Sequence, residues 1–338
     1  MTELLNTLYV ITAGTSLHLD GDAIRVFHPE RPGRNLIPLV RLDHIVAWNG
    51  VDLSDDLLHR CAADGRSVTW VTRNGRFLGR VSGPQTGNPL LRLAQFRAYE
   101  WAEHRVGIAR AIVAGKLHNY RQLLLRSARD ATDTRQPRLR DIAERHAAAL
   151  ADLPDATTLS EVLGIEGNAA RDYFQGLELL APGAMAGRSR RPPLDPVNCL
   201  LSFGYGMLRV AVHGALEQVG LDPYLGYLHG IRSGKPALAL DLMEEFRPLL
   251  VDRLVLTLVN REQLKPAHTE TLPGGAVQLT EDGRRFFLEH WSTARKREWY
   301  HAGLGRDITA ALLPLVQARL LARHLRGDSD AYLPWTLS

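Results

Sequence analysis

The pattern of apolar residues changes period once along this 338-residue chain, and that change constrains the fold more than any other feature. Before position 82 the apolar and β-branched residues come in short runs, at 7–11, 16–19, 23–27, 36–39 and 44–48, with two more at 67–72 and 76–81. Turn formers separate them: Ala13-Gly14, Asp20-Gly21-Asp22, Pro32-Gly33, and Asn74-Gly75 between the last two. Short runs bounded by Gly, Pro, Asn and Asp are the pattern of half-buried strands. Among them Ser54, followed by Asp55, Asp56, Leu57 and Leu58, predicts one helix start, because a serine hydroxyl can accept from an otherwise orphaned amide of the first turn.

Ser82-Gly83-Pro84-Gln85-Thr86-Gly87-Asn88-Pro89 is dense in turn formers and has no apolar period, so a domain boundary is expected there. Beyond it the period is helical. Residues 90–129 carry Ile108, Ile112, Leu117 and Leu124 at helical spacing but form too long a run for one helix, and Gly107 or Gly115 is the expected break. Further helices are expected at 138–150, 159–174, 197–219, 236–258 and 307–325. The fold class is therefore α+β: residues 1–82 form a strand-rich domain, 83–89 a linker and 90–338 a mainly helical domain.

Hydrophobic residues make up 45% and charged residues 23%, an ordinary globular composition. The two cysteines, Cys61 and Cys199, cannot make a disulfide framework or a thiolate zinc site by themselves. No run of about 18 apolar residues and no signal-peptide pattern is found, so a soluble, cytoplasmic protein is expected. The net charge of +4 is too small to indicate nucleic acid alone. Its distribution says more: residues 97–145 hold eleven Lys or Arg against six Asp or Glu, and Arg188, Arg190 and Arg191 cluster in a Gly/Ser/Pro-rich stretch that reads as a loop. Such runs are usually solvated faces.

Three segments can carry chemistry. In the first, Glu166 is flanked by Ile165 and Gly167 and followed by small residues; in the second, His229 stands next to Gly230 at the end of an apolar run. In the third, Asp241 and Glu244 are three apart and share one helical face beside an apolar stripe of Leu238, Leu242, Phe246 and Leu249. Two acids so placed are relieved by a cation, or alternatively by Arg247 pairing with one of them. Taken together, a Glu, a His and an Asp/Glu pair make a mixed oxygen and nitrogen donor set that suits Mg²⁺ or Mn²⁺. Zinc is disfavoured by the lack of HExxH spacing or a cysteine pair.

The chain resembles the CRISPR-associated spacer integrases, the family of the Cas protein numbered one. The resemblance rests on Ile165-Glu166-Gly167-Asn168-Ala169-Ala170-Arg171-Asp172-Tyr173-Phe174, Asp195-Pro196-Val197-Asn198, Leu221-Asp222-Pro223-Tyr224-Leu225-Gly226-Tyr227-Leu228-His229 and Ala239-Leu240-Asp241-Leu242-Met243-Glu244-Glu245-Phe246-Arg247-Pro248, in that order. It implies a β-sandwich-like N-terminal domain that forms a homodimer and a helical catalytic domain. By position it implies Glu166, His229 and Glu244 as metal ligands, with Asp241 beside them as a further catalytic residue. It implies double-stranded DNA as substrate, a bridging dimer of the small Cas protein numbered two, and room for a Cas-four-type exonuclease. The implied reaction is insertion of short DNA fragments into a repeat array by 3′-hydroxyl attack on a phosphodiester. A plain metal-dependent nuclease and a non-catalytic DNA-binding scaffold are the competing readings. Lys116, Arg121, Arg126, Arg188, Arg190 and Arg191 are the expected phosphate contacts.

Overall fold

A computed structural model describes residues 7–84, 89–131 and 134–337. Of the expected linker 83–89, residues 85–88 lie outside that description. The N-terminal strands are β1 (Thr7–Val10), β2 (Ser16–Asp20), β3 (Ala23–His28), β4 (Arg31–Pro38), β5 (His44–Trp48), β6 (Asp52–Leu53), β7 (Ser67–Val71) and β8 (Phe77–Val81), with α1 (Asp55–Ala63) between β6 and β7. They form two four-stranded sheets, ordered β1-β5-β7-β8 and β4-β3-β2-β6. One apolar cluster serves both, drawing Val10, Ile45, Ala47 and Val68 from the first sheet, Leu17 and Ile24 from the second, and Leu57 and Cys61 from α1. Ser54 caps α1 as expected, its hydroxyl accepting from Leu57 N at 3.4 Å. The turn expected at Pro32-Gly33 is absent: β4 runs through it, and β3 pairs back on β4 immediately, His28 opposite Arg31.

The chain divides into two compact units. The first gathers the N-terminal strands together with Ala267–Glu270 and Leu279–Glu289. Within it Thr12 Oγ1 donates to Glu281 Oε1 at 2.9 Å. The second unit holds α2 (Pro89–Glu100), α3 (Ala102–Asp130), α4 (Arg135–Asp152), α5 (Leu159–Leu180), α6 (Pro196–Val219), α7 (Ala237–Met243) and α8 (Arg253–Asn260). Short strands β9 (Thr269–Thr271) and β10 (Val277–Leu279) precede α9 (Glu281–Arg295), and β11 (Glu298–His301) and β12 (Arg306–Thr309) precede α10 (Leu313–Leu325).

Local chemistry explains where these helices begin and end. Thr158 and Glu161 form a reciprocal capping box at the start of α5. Asp195 caps α6 by accepting from Asn198 N at 2.7 Å, Pro196 takes the first turn, and Gly220 ends the helix with φ +92°. α6 is long and apolar enough to cross a membrane, but 72% of its most apolar window is buried within the protein. It is a core helix.

Three helix expectations need correction. The break in 90–129 falls at Trp101, whose φ −85° and ψ 104° are extended, and not at a glycine. Gly115 lies inside α3 because a Cβ there would come within 2.6 Å of Pro334 Cβ. Residues 236–258 are interrupted after Met243 and pass through a π-helical segment, Arg247–Asp252, before α8. Pro248 has no N–H to give the Glu244 carbonyl, so the α-helical ladder cannot run through. Residues 306–309 are strand, and the last helix starts only at Leu313.

Candidate active site

The interrupted helix is where the second unit concentrates its buried charge. Lys116, on α3, is 2% exposed, and its ammonium lies within hydrogen-bonding reach of Glu166 Oε1 on α5 and 2.7 Å from Glu244 Oε2. Arg247 Nη1 donates to both oxygens of Glu244, at 2.8 and 3.0 Å. Two carboxylates are thus matched by two cations, which is what a buried charge requires. Burial pushes the Glu244 carboxyl up, but Arg247, then Lys116 and His229, outweigh it and hold the group at about 2. Glu244 is therefore anionic throughout the physiological range. Lys116 is turned inward onto these carboxylates rather than standing on the solvated face of α3.

Of the two readings of the Asp241–Glu244 spacing, the pairing of Arg247 with one acid is found, at Glu244, and Asp241 has other partners. α7 ends between them at Met243, and Asp241, fully buried, faces the loop that follows α6. Its Oδ2 accepts from Tyr227 N at 2.6 Å and Leu228 N at 2.9 Å, and its Oδ1 from His229 N at 2.9 Å. His229 Nδ1 stands 2.7 Å from the same Oδ1. An acceptor already serving three N–H groups fixes Nδ1 as the protonated ring nitrogen and leaves the Nε2 lone pair outward. No protein group bonds Nε2 among the described residues. Close approach makes this possible: a Cβ on Gly226 would fall 2.7 Å from Asp241 Oδ2. Asp241 therefore orients the imidazole rather than standing beside Glu244 as a second open carboxylate.

A layer of aromatic residues, which the apolar periodicity of the sequence does not reveal, lies behind these groups. Tyr120 and Tyr173 stack with centroids 3.5 Å apart, and Lys116 Nζ is 5.4 Å from the Tyr120 ring. Tyr173 and Tyr205 both donate to the buried Asp252, whose pKa burial raises. Arg247 lies 4.1 Å from the Tyr205 ring. Tyr120 Oη and Arg247 Nε are buried without a hydrogen-bond partner among the described residues.

The other expected phosphate contacts differ in availability. Arg188 ties its loop to α6, donating to Ser189 O and to Asn198 Oδ1 of that helix at 2.6 Å each, with its guanidinium over Phe174 and Tyr205. Arg190 and Arg191, on the same loop, are exposed. Arg121 is partly buried, 3.6 Å from Glu144. Arg126 lines a cavity of about 420 Å³ with Arg135, Arg253 and Arg261, and among the described residues Asp130 is the acid in its lining. Cys61 and Cys199 are both buried free thiols.

Among the described residues no three His, Cys, Asp or Glu side chains stand close enough to enclose a metal ion as they are placed. What does converge is Glu166 and Glu244 on one cation, the Lys116 ammonium, with the aimed imidazole of His229 on the neighbouring loop.

The family model for CRISPR-associated protein Cas1 matches residues 8–293. The chain belongs to the Cas1 family. It is 44% identical to a CRISPR-associated endonuclease Cas1 of Moorella thermoacetica, with 99% of each chain covered, and 44% identical to one of Rhodospirillum rubrum at the same coverage. Among solved structures, a Cas1 protein from Thermotoga maritima aligns with a TM-score of 0.81 and 26% identity, covering 97% of this chain and 99% of that one. A casposase bound to its integration product aligns at 0.83 and 22% identity, over 98% of this chain and 93% of that one, a likeness of fold. Like the T. maritima Cas1 protein, this chain is mixed α+β.

Proposed function

We propose that this Cas1 chain is a divalent-metal-dependent DNA integrase of CRISPR adaptation. The observation that carries the reading is the convergence of Glu166 and Glu244 on one buried cation beside an imidazole whose Nε2 is held open. Two carboxylate oxygens and one ring nitrogen form a set that suits Mg²⁺ or Mn²⁺. The ammonium between the carboxylates stands in for the charge such an ion would bring. When bound, the ion would polarise the scissile phosphate and make the attacking hydroxyl more acidic.

The remaining work falls to the chain itself. Asp241 holds His229 in one tautomer, and Arg247 holds Glu244 in one orientation. In the reaction the 3′-oxygen of an incoming fragment forms a bond to phosphorus as its proton leaves. The bond from phosphorus to the old 3′-oxygen breaks, and that oxygen takes up a proton. One phosphodiester replaces another, so no nucleotide hydrolysis is needed. The exposed Arg190 and Arg191 are placed to hold backbone phosphates without reading sequence.

Partners follow the same reading. One relative is the Cas6-RT-Cas1–Cas2 complex, whose matching chain aligns at a TM-score of 0.82 and 25% identity, over 99% of this chain and 36% of that one. Another is a Cas4/Cas1 fusion of Geobacter sulfurreducens, 34% identical over 96% of this chain and 59% of that protein. A Cas2 dimer bridging two homodimers, with a Cas4-type exonuclease as an optional member, is the assembly we assign. The endonuclease name of the relatives favours a second reading, hydrolysis with water in place of the 3′-hydroxyl at the same site.

The test is a strand-transfer assay in Mn²⁺ or Mg²⁺ with a fragment bearing free 3′-hydroxyls and a repeat target, Cas2 present. Joined products identify an integrase, and shortened products alone a nuclease. Glu166→Ala, His229→Ala and Glu244→Ala should each abolish joining while DNA binding persists, because affinity comes from Lys and Arg on phosphates. Folded Glu166→Ala protein that joins fragments at the parental rate would overturn the site assignment.

A further inference from the structure

We infer that Lys116 is a resident counter-cation that weakens metal binding until DNA arrives, so that metal and DNA load together. The inference rests on the site reading above. Its basis is the charge count around the two carboxylates. Glu166 and Glu244 carry two negative charges, and Lys116 and Arg247 already match them with two positive ones. The ammonium is 2% exposed and lies between the carboxylates, in the place a shared metal ligand sphere would occupy. Asp241 is a third carboxylate nearby, but both its oxygens are taken up by three backbone N–H groups and the His229 ring, so it offers no free oxygen to an ion.

A divalent ion entering this set in the free protein must therefore displace or sit against an ammonium in a site of low water content. Like charges at a few ångströms interact strongly there, since the effective dielectric is far below that of water. The free protein should bind metal weakly for a site with two carboxylates and an imidazole. DNA lowers the obstacle. Each phosphodiester at the site brings one negative charge, which offsets half of the excess that the ion introduces. The displaced ammonium also gains a phosphate oxygen as partner.

The arrangement differs from a site that is simply vacant and waiting. A vacant carboxylate pair would bind metal in the absence of substrate and hold it near water, with hydrolysis as the ready outcome. A site closed by its own lysine assembles its metal only where a phosphate is present to be attacked. By thermodynamic linkage the effect is reciprocal: Mn²⁺ must tighten DNA by the factor by which DNA tightens Mn²⁺.

The experiment measures Mn²⁺ dissociation constants by electron paramagnetic resonance of free Mn²⁺, at fixed ionic strength, with and without a DNA duplex. The full-length parent, Lys116→Met and Glu166→Ala are compared. For the parent, DNA should tighten Mn²⁺ by about ten-fold or more, within the usual range of coupling between sites. Lys116→Met keeps the length of the side chain without its charge. It should bind Mn²⁺ about ten-fold or more tightly than the parent in the absence of DNA, by removal of a like charge, and should lose most of the coupling. Parental or weaker Mn²⁺ binding by folded Lys116→Met overturns the inference, as does a parent whose Mn²⁺ affinity ignores DNA. The parent measurement needs no variant, so a Lys116→Met protein that does not fold leaves the test intact. Glu166→Ala separates the two levels of the argument: undiminished Mn²⁺ affinity in that variant would refute the metal site itself, whereas the Lys116 outcomes bear only on the counter-cation.

Discussion

Asp241→Asn probes whether the buried aspartate acts through the imidazole. The native carboxylate accepts four N–H groups at 2.6 to 2.9 Å, two on each oxygen. Asparagine has one acceptor oxygen. With that oxygen at the Oδ2 position, the new NH₂ faces His229 N–H and Nδ1, so Nδ1 must become an acceptor and the proton moves to Nε2. With the oxygen at the Oδ1 position, the NH₂ faces the Tyr227 and Leu228 N–H groups. The first arrangement loses one of the four bonds and reverses another, and the second loses two, where Asp241 has no solvent access. At about 1–3 kcal/mol for each buried group left unsatisfied, the loop is weakened by about 1–6 kcal/mol. Loss of the group that orients a metal-binding histidine typically costs about 10–100-fold in activity. We expect Mn²⁺-dependent strand transfer to fall by that factor with DNA affinity retained, measured as single-turnover rates on a labelled fragment. An unimpaired Asp241→Asn would refute this role.

Three further outcomes follow from the geometry. Gly226→Ala places a Cβ 2.6 Å from the Ala237 carbonyl carbon and 2.7 Å from Asp241 Oδ2, so it should destabilise by about 1–3 kcal/mol and slow strand transfer; parental melting and rate would contradict the packing. Arg190→Ala with Arg191→Ala should weaken binding alike for unrelated DNA sequences and flatten the plot of log K against log salt by up to about 2 units. Unchanged slopes would remove this loop from the DNA surface. His146 is buried on α4, and burial lowers its pKa below the ordinary 6.5, so the unfolded chain takes up the proton first as pH falls. Its contribution to stability is present above about pH 6.5 and lost as pH falls through the lower folded value; urea unfolding of His146→Gln should be flatter between pH 7 and 5, and an identical pH dependence would refute it.

The sequence by itself determined the elements that rest on local chemistry. Alternation with Gly, Asn and Asp turns located the strands β1 to β5, β7 and β8, and the Ser54 cap located α1, because these signals act within a few residues. Order and spacing of the Glu166, His229 and Asp241–Glu244 segments were also enough to suggest the family that the comparison with Cas1 then established. Some elements were missed although a signal existed: α9 follows Thr280, whose hydroxyl accepts from Gly283 N at 3.1 Å, with Glu281 and Asp282 in its first turn. Only the tertiary structure decided what each charged residue does. Lys116 belongs to a basic run that reads as a solvated face, yet α5 and the end of α7 bring two carboxylates onto it from 50 and 128 positions away in the chain. The three-residue spacing of Asp241 and Glu244 left a shared cation and an Arg247 pair both open; packing puts Arg247 on Glu244 and turns Asp241 to the loop at Gly226. The physical reason is range. Capping and turn signals are local, whereas the burial that makes an ion pair, a tautomer or an orphaned hydroxyl consequential is set by chain segments that the sequence keeps far apart.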